Sequence, residues 1–354
     1  MIIKHLSLCD FRNYATLELD LHPSLTILLG DNGAGKTNIL ESLSVLSNTH
    51  SFRCHKDEEM IKKGSAFAKI EVSTEDDDFK IVISPKGKTL WLNEQMVKRS
   101  SDYIGKINTI LFKPDDLFIF DAPPSSRRNL VDIEISKASS SYLQALLTYN
   151  KILKEKNTLL KQEKIDEKYL EILNDASIAP ISKIIKERKK FITLMEEEIK
   201  RIFHLLSDLD LNLKITYKSC CSGKEEDIKE ALLRSKEKDY IMHFATFGIQ
   251  KEDITFSLND YPISTYASQG QKRMVVIAFK IALTSYLKEM GKDKPIILLD
   301  DILSELDSAN VMRLFKLLDY DFQTIITQTS IPESLNHSEN KVITIKEGAI
   351  YGTN

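Results

Sequence analysis

The residues Gly30-Asp31-Asn32-Gly33-Ala34-Gly35-Lys36-Thr37 satisfy the phosphate-loop pattern G-x-x-x-x-G-K-[ST] at every specified place. They follow the apolar run Leu25-Thr26-Ile27-Leu28-Leu29, so the spacing predicts a buried strand, a tight turn, and a helix starting near Lys36. That helix carries Ile39, Leu40, Leu43 and Leu46 on its apolar face. Glycines let the backbone turn closely enough for its N–H groups to reach phosphate oxygens, and the helix start aims its positive dipole end at the same place. Lys36 is placed to neutralise β- and γ-phosphates and Thr37 to set its hydroxyl on Mg²⁺, with Asn38 continuing the binding segment. The competing reading is a glycine-rich turn before an ordinary helix. It is outweighed by the agreement of motif and strand context.

A second signal lies far along the chain. Pro295-Ile296-Ile297-Leu298-Leu299-Asp300-Asp301 reads as a buried parallel strand ending in two carboxylates, where an α/β sheet presents ligand-binding groups. Asp300 is the expected Mg²⁺ partner. Asp301 stands where a carboxylate polarises an attacking water, with a shorter reach than Glu, which predicts slow hydrolysis. The bland alternative is a polar strand end or a helix cap.

The third signal is Ser268-Gln269-Gly270-Gln271, which opens a helix with Met274, Val275, Ile277, Ala278, Ile281 and Ala282 along it. A second anion-binding helix start suggests a γ-phosphate sandwiched between two subunits. In isolation, Ser268 as N-cap and Gln271 as the other half of a capping box reads equally well.

Taken with Leu303-Ser304-Glu305-Leu306-Asp307, these motifs resemble the ABC-type ATPase heads of the SMC and RecF group. Details resemble the RecF family: Asp10-Phe11-Arg12-Asn13-Tyr14, His50-Ser51-Phe52-Arg53, Leu111-Phe112-Lys113-Pro114-Asp115-Asp116-Leu117, Arg127-Arg128 with Leu130-Val131-Asp132, and Tyr149-Asn150 through Asn157-Leu159-Leu160-Lys161. The resemblance implies an α/β ABC-type P-loop ATPase head with mixed sheets. It implies ATP and Mg²⁺ as ligands and a head-to-tail homodimer that closes on DNA. Asp307 would link the two sites. It further implies a RecR-like mediator, loading of a RecA-type recombinase, SOS induction and a cytoplasmic setting. One segment departs: where the family shows Gly-Pro-His-Arg-Asp-Asp, this chain has Gly248-Ile249-Gln250-Lys251-Glu252-Asp253, losing the basic centre of that motif.

Periodicity divides the chain. Short apolar runs with turns such as Pro85-Lys86-Gly87 extend to about Asp121, and Pro123-Pro124 then punctuates. Helical spacing follows, with Leu143, Leu146, Leu147, Leu153 and Leu160 on one face and Ile181, Ile184, Ile185, Ile192, Met195, Ile199 and Ile202 on another. The expected organisation is a head of residues 1–121 and 255–354 with an inserted helical lobe of residues 122–254, too short for a long coiled coil. Strand character returns at 211–217 and 254–258.

A net charge of −3 argues against an indiscriminate polyanion binder, but DNA affinity depends on local basic surface. Candidates are Arg53 with Lys56, Lys62-Lys63, and Lys183, Lys186, Arg188, Lys189 and Lys190; for each, a solvated charged face is the bland alternative. Arg53 also lies near where related heads carry an arginine that approaches phosphate. Arg127 and Arg128 stand at a helix start, where cations oppose the dipole, so either an anionic partner or an ion pair, to Asp132 or to another lobe, accounts for them. Cys9, Cys54, Cys220 and Cys221 form no C-x-x-C pair, and no apolar run reaches the roughly 20 residues of a membrane span. A transporter ATPase subunit, lacking its switch His in Ile325-Ile326-Thr327-Gln328-Thr329, a monomeric P-loop kinase or GTPase, and a non-enzymatic DNA scaffold are the alternatives.

Overall fold

Alternating and continuous apolar runs build two different six-stranded sheets, and the strands Leu213–Lys218, Asp253–Leu258 and Tyr261–Pro262 form a smaller third among the described residues. The computed structural model describes residues 1–207, 211–318, 321–330 and 340–353. In chain order the N-terminal part forms β1 (His5–Phe11), β2 (Tyr14–Asp20), β3 (Leu25–Leu29), α1 (Lys36–Asn48), β4 (Ala68–Ser73), β5 (Asp78–Ser84), β6 (Gly87–Leu92), β7 (Gln95–Val97) and β8 (Thr109–Phe112). There follow α2 (Pro124–Ala138), α3 (Ser140–Leu159), α4 (Glu167–Leu206), β9 (Leu213–Lys218), α5 (Glu225–Met242), β10 (Asp253–Leu258), β11 (Tyr261–Pro262) and α6 (Ile263–Tyr266). The chain closes with α7 (Gln269–Glu289), β12 (Ile296–Asp300), α8 (Ser308–Leu318), β13 (Thr324–Gln328), β14 (Lys341–Lys346) and β15 (Ala349–Thr353).

These elements belong to two compact units, Met1–Asp116 with Ile202–Asp208 and Met274–Asn354, and Leu117–Arg201 with Leu209–Arg273. In the first unit, β2-β1-β4-β5-β6-β7 pair antiparallel, and period-two alternation buries Leu6, Leu8, Ile70, Val72 and Ile81 on one face while leaving the other polar. The second sheet of that unit, β15-β14-β3-β13-β12-β8, is parallel except at β14–β15. β12 and β13 are buried at every residue, as strands covered on both faces must be. β3, β13 and β12 are neighbours in that sheet, so their carboxyl ends open at one edge beside the start of α1.

In the second unit, all the expected apolar positions of α4 up to Ile199 are buried, although the helix carries Pro180 inside it. The face expected along α3 is only partly realised: Leu147 is exposed, and Tyr142 and Tyr149 are buried instead. The basic run of α4 is dispersed. Arg188 is the largest fully buried side chain among the described residues; it meets Asp132 through Nε (2.9 Å) and Nη2 (2.7 Å) and Glu252 through Nη1 (2.6 Å). Lys183 pairs with Glu187, and Lys189 donates to the Ser222 carbonyl, so this run is not one cationic patch. Glu252 is wholly buried and also accepts from the Tyr217 hydroxyl and the Cys220 N–H.

The divergent segment 248–253 thereby acquires a structural account. Gln250 accepts from the Tyr149 hydroxyl, and Asp253 receives Arg127 through two bonds of 3.0 and 2.9 Å; contrary to the expected loss of the basic centre, Lys251 keeps a cation there, 4.9 Å from the Phe244 ring centre. Arg127 therefore takes the ion-pair alternative with Asp253, while Asp132 belongs to Arg188; Arg128 donates to the Glu252 carbonyl.

Two predictions follow from these charges. Arg188→Ala leaves Glu252 and Asp132 buried without their cation and is expected to cost about 3–5 kcal/mol, read as a fall in the urea unfolding midpoint. On the first sheet, His5 bonds Asp20 and Glu18, which raises its pKa above 6.5 and lowers theirs below the ordinary 3.8 and 4.5. The contribution is complete below pH 6.5 and above pH 4.5; it fades as pH rises through the raised imidazole value or falls through the lowered carboxylate values. An NMR titration of His5 should show a midpoint above 6.5 that Asp20→Asn with Glu18→Gln returns towards it.

Candidate functional site

β3 delivers the chain into the loop at Gly30, whose N–H donates to the Gln328 carbonyl (3.2 Å) at the end of β13. Only glycine fits at two points of this loop. A Cβ on Gly30 would run into the Ile345 carbonyl, and one on Gly35, at φ +113°, would lie 2.7 Å from both Asn13 Nδ2 and Tyr14 Oη. Lys36 opens α1 and is 7 % exposed; its Nζ donates to the carbonyls of Gly30 (2.6 Å) and Asp31 (2.9 Å). Burial pushes its pKa down, opposed by the carboxylates of Asp301, Asp300 and Asp31.

Thr37 faces the second sequence motif. Its Oγ1 donates to Asp300 Oδ1 at 2.9 Å, and Thr327 Oγ1 donates to the same oxygen at 2.9 Å from the neighbouring strand. Thr327 in turn accepts from the Asp301 N–H (2.9 Å). Burial pushes the Asp300 pKa up, while the bonds from Thr37 and Thr327 pull it down and the charge of Asp301 adds to the rise. Asp301 follows the end of β12 at φ +51°, and its carboxylate accepts no hydrogen bond from the described residues.

Several residues at this site escaped the sequence reading. Glu41, wholly buried one turn after Thr37 on α1, receives Arg12 through Nε (2.9 Å) and Nη2 and also Ser51, while Arg53 reaches it at 3.3 Å. Arg53 also donates to Asn38 Oδ1 (2.6 Å), and Asn38 Nδ2 donates to Asn13 Oδ1 (2.7 Å). A carboxylate among Ile39, Leu40 and Leu43 was the available signal, since a buried charge demands a partner. Thr327 and Gln328 carried no such signal. Gln328 is 4 % exposed, and its Nε2 meets no hydrogen-bond partner among the described residues, leaving a buried donor at the strand end beside the loop.

The other expected residues divide between the loop and two helix starts. Ser268 to Gln271 belong to the second unit. There they form the capping box of α7: Gln271 Oε1 accepts from the Ser268 N–H (2.8 Å) and Ser268 Oγ from the Gln271 N–H (3.2 Å). Asp307 caps α8, accepting from Asn310 N–H and Nδ2, both at 2.8 Å. Asp31, Asn32, Gly33 and Ala34 complete the loop, with Ala34 accepting from the Gly348 N–H (3.0 Å). A buried ammonium, a hydroxyl–carboxylate pair and an unpartnered amide donor suit a magnesium-bound polyphosphate.

The family model described as RecF/RecN/SMC N terminal domain matches residues 2–350. A DNA replication and repair protein RecF of Lachnoclostridium phytofermentans is 37 % identical over 345 residues, covering 95 % of each chain. The chain belongs to the RecF family. Among solved structures, the recombination mediator protein described as RecF-ATP in the RecFOR pathway matches with a TM-score of 0.91 at 28 % identity, over all of this chain and 97 % of that one. The Smc head domain derived from Pyrococcus furiosus, at TM-score 0.56 and 18 % identity over all of this chain and 96 % of that one, shares the fold. The ABC-type α/β head of the RecF family is thus the fold of this chain, and among the described residues no helix is long and apolar enough to cross a membrane.

Thr37→Val and Asp300→Asn each remove one end of the hydroxyl–carboxylate pair and are expected to weaken magnesium-dependent nucleotide binding about tenfold or more, read by calorimetry. In the parent protein that binding should weaken on acidification at a pH above the ordinary 3.8 of aspartate, because the carboxylate must be ionised, and Asp300→Asn should abolish that dependence.

Proposed function

We propose that this chain is an ATP-dependent DNA-binding protein of recombinational repair and replication-fork maintenance. The observation that carries this reading is the convergence of Lys36, Thr37 and Asp300 at one sheet edge, in a chain of the RecF family. Magnesium-bound ATP would supply a polarised terminal phosphoanhydride. The Lys36 ammonium, now on the carbonyls of Gly30 and Asp31, would neutralise phosphate oxygens that the backbone from Gly30 to Asn38 cradles. Thr37 and Asp300 would hold the cation. Asp301 orients the attacking water, and its short side chain makes hydrolysis slow.

In this reading a second copy of the chain supplies Ser268, Gln269, Gly270 and Gln271 as the opposite cap, and Asp307 links the paired sites. The head comprises residues 1–121 and 255–354, and residues 122–254 form the inserted lobe. The closed head-to-tail dimer holds DNA, works with a RecR-like mediator, supports loading of a RecA-type recombinase and SOS induction, and acts in the cytoplasm.

The test is solution mass by light scattering without nucleotide, with ADP, and with ATP and Mg²⁺, each with and without a short DNA duplex. ATP alone or ATP with DNA is expected to double the mass, and Lys36→Met or Ser268→Arg to prevent it. A constant monomer mass with continued ATP turnover would instead identify a monomeric P-loop enzyme.

A further inference from the structure

The outer face of the six-stranded antiparallel sheet carries a pattern that nucleotide chemistry does not use. Glu18, Ser7, Glu71, Lys80, Trp91 and Met96 stand directly opposite one another on β2, β1, β4, β5, β6 and β7. Directly paired residues project on the same side, so these six form one row across the whole sheet. A second row, Asp20, His5, Ser73 and Asp78, runs beside it. Between them lies a groove of about 650 Å³.

The row is apolar at one end, Trp91 and Met96, and polar along the rest, with Glu18 and Glu71 against the one lysine Lys80. Trp91, the only tryptophan of the chain, is half-buried there, and Met96 beside it is 58 % exposed. Lys80 Nζ lies 5.3 Å from the Trp91 ring centre. Glu71 is taken by Lys69 (2.7 Å) and Lys80 (3.2 Å), and Glu18 and Asp20 share His5. Asp78 and Glu94 are exposed and meet no cation among the described residues. Carboxylates therefore outnumber cations on this face. Such a surface repels a polyanion and attracts a cationic partner, while a tryptophan in a groove is the kind of anchor that concentrates binding energy.

We propose that this face docks a basic segment of a partner protein, which sets an apolar side chain against Trp91 and Met96 and its Lys or Arg side chains against Glu18, Asp78 and Glu94. All the residues concerned lie in the first unit.

Trp91 is its own reporter. In the full chain, a synthetic peptide of alternating lysine and leucine is expected to produce a saturable shift in Trp91 emission that added salt weakens, and an alternating glutamate and leucine peptide none. The triple variant Glu18→Gln, Asp78→Asn, Glu94→Gln is expected to bind the lysine peptide about tenfold more weakly. It leaves Glu71 and its two lysines in place, and circular dichroism checks that the sheet is intact. Equal shifts with both peptides, no shift with either, or undiminished binding by a folded triple variant overturns the proposal. None of these readouts depends on ATP, so failure here leaves the proposed nucleotide switch standing, and a constant monomer mass with ATP leaves this surface standing.

Discussion

One carboxylate oxygen, Oδ1 of Asp300, joins three elements of the first unit at the candidate site. It accepts from Thr37 on α1 and from Thr327 on β13, while Asp300 itself ends β12. A phosphate loop without this bond would be a turn before a helix. With it, the loop is held to two strands that arrive more than two hundred residues later in the chain. The register that sets Asp300 opposite Thr327 makes the geometry reproducible, because a one-residue slip would turn either side chain to the other face of the sheet.

Buried charge recurs as the device that fixes position. Glu41 draws Arg12 and Arg53 to α1, so the segments before and after the loop are referenced to its helix. Arg188 does the same in the second unit, collecting Asp132 from α2 and Glu252 from the divergent segment. Such clusters are costly to desolvate and contribute little net stability, but removing one member leaves a charge stranded. That makes each arrangement specific. It also accounts for Glu252: its carboxylate is an internal acceptor for an arginine, a tyrosine and a backbone N–H, while Lys251 retains the cation of that motif at the surface of Phe244.

Legibility in the sequence tracked how local the physics was. The strand Leu25–Leu29, the helix start at Lys36 and the strand ending at Asp300 lay where the motifs put them, because periodicity and glycine placement are properties of a few consecutive residues. The Ser268 capping box was equally local, with both partners within four residues. Arg188 was not legible: in sequence it sits among lysines and reads as surface, and its burial depends on Asp132 and Glu252, each more than fifty residues distant. Leu147 failed for a related reason, since period alone does not say where a helix's apolar stripe is centred once two tyrosines compete for the interior.

By itself the sequence determined the chemistry available: a turn suited to phosphate, a metal-suited hydroxyl and carboxylate, and the alternation that makes one sheet two-faced and the other buried. Tertiary structure alone decided which of these groups meet. Thr327 and Gln328 joined the site through sheet order, Glu41 acquired Arg12 and Arg53 from segments on either side of the loop, and Trp91 came to stand between Lys80 and Met96 through strand register. The reason is physical. Residue type and local spacing fix what a side chain can donate, accept or bury, whereas burial, register and pairing across the chain arise only when distant strands share one sheet.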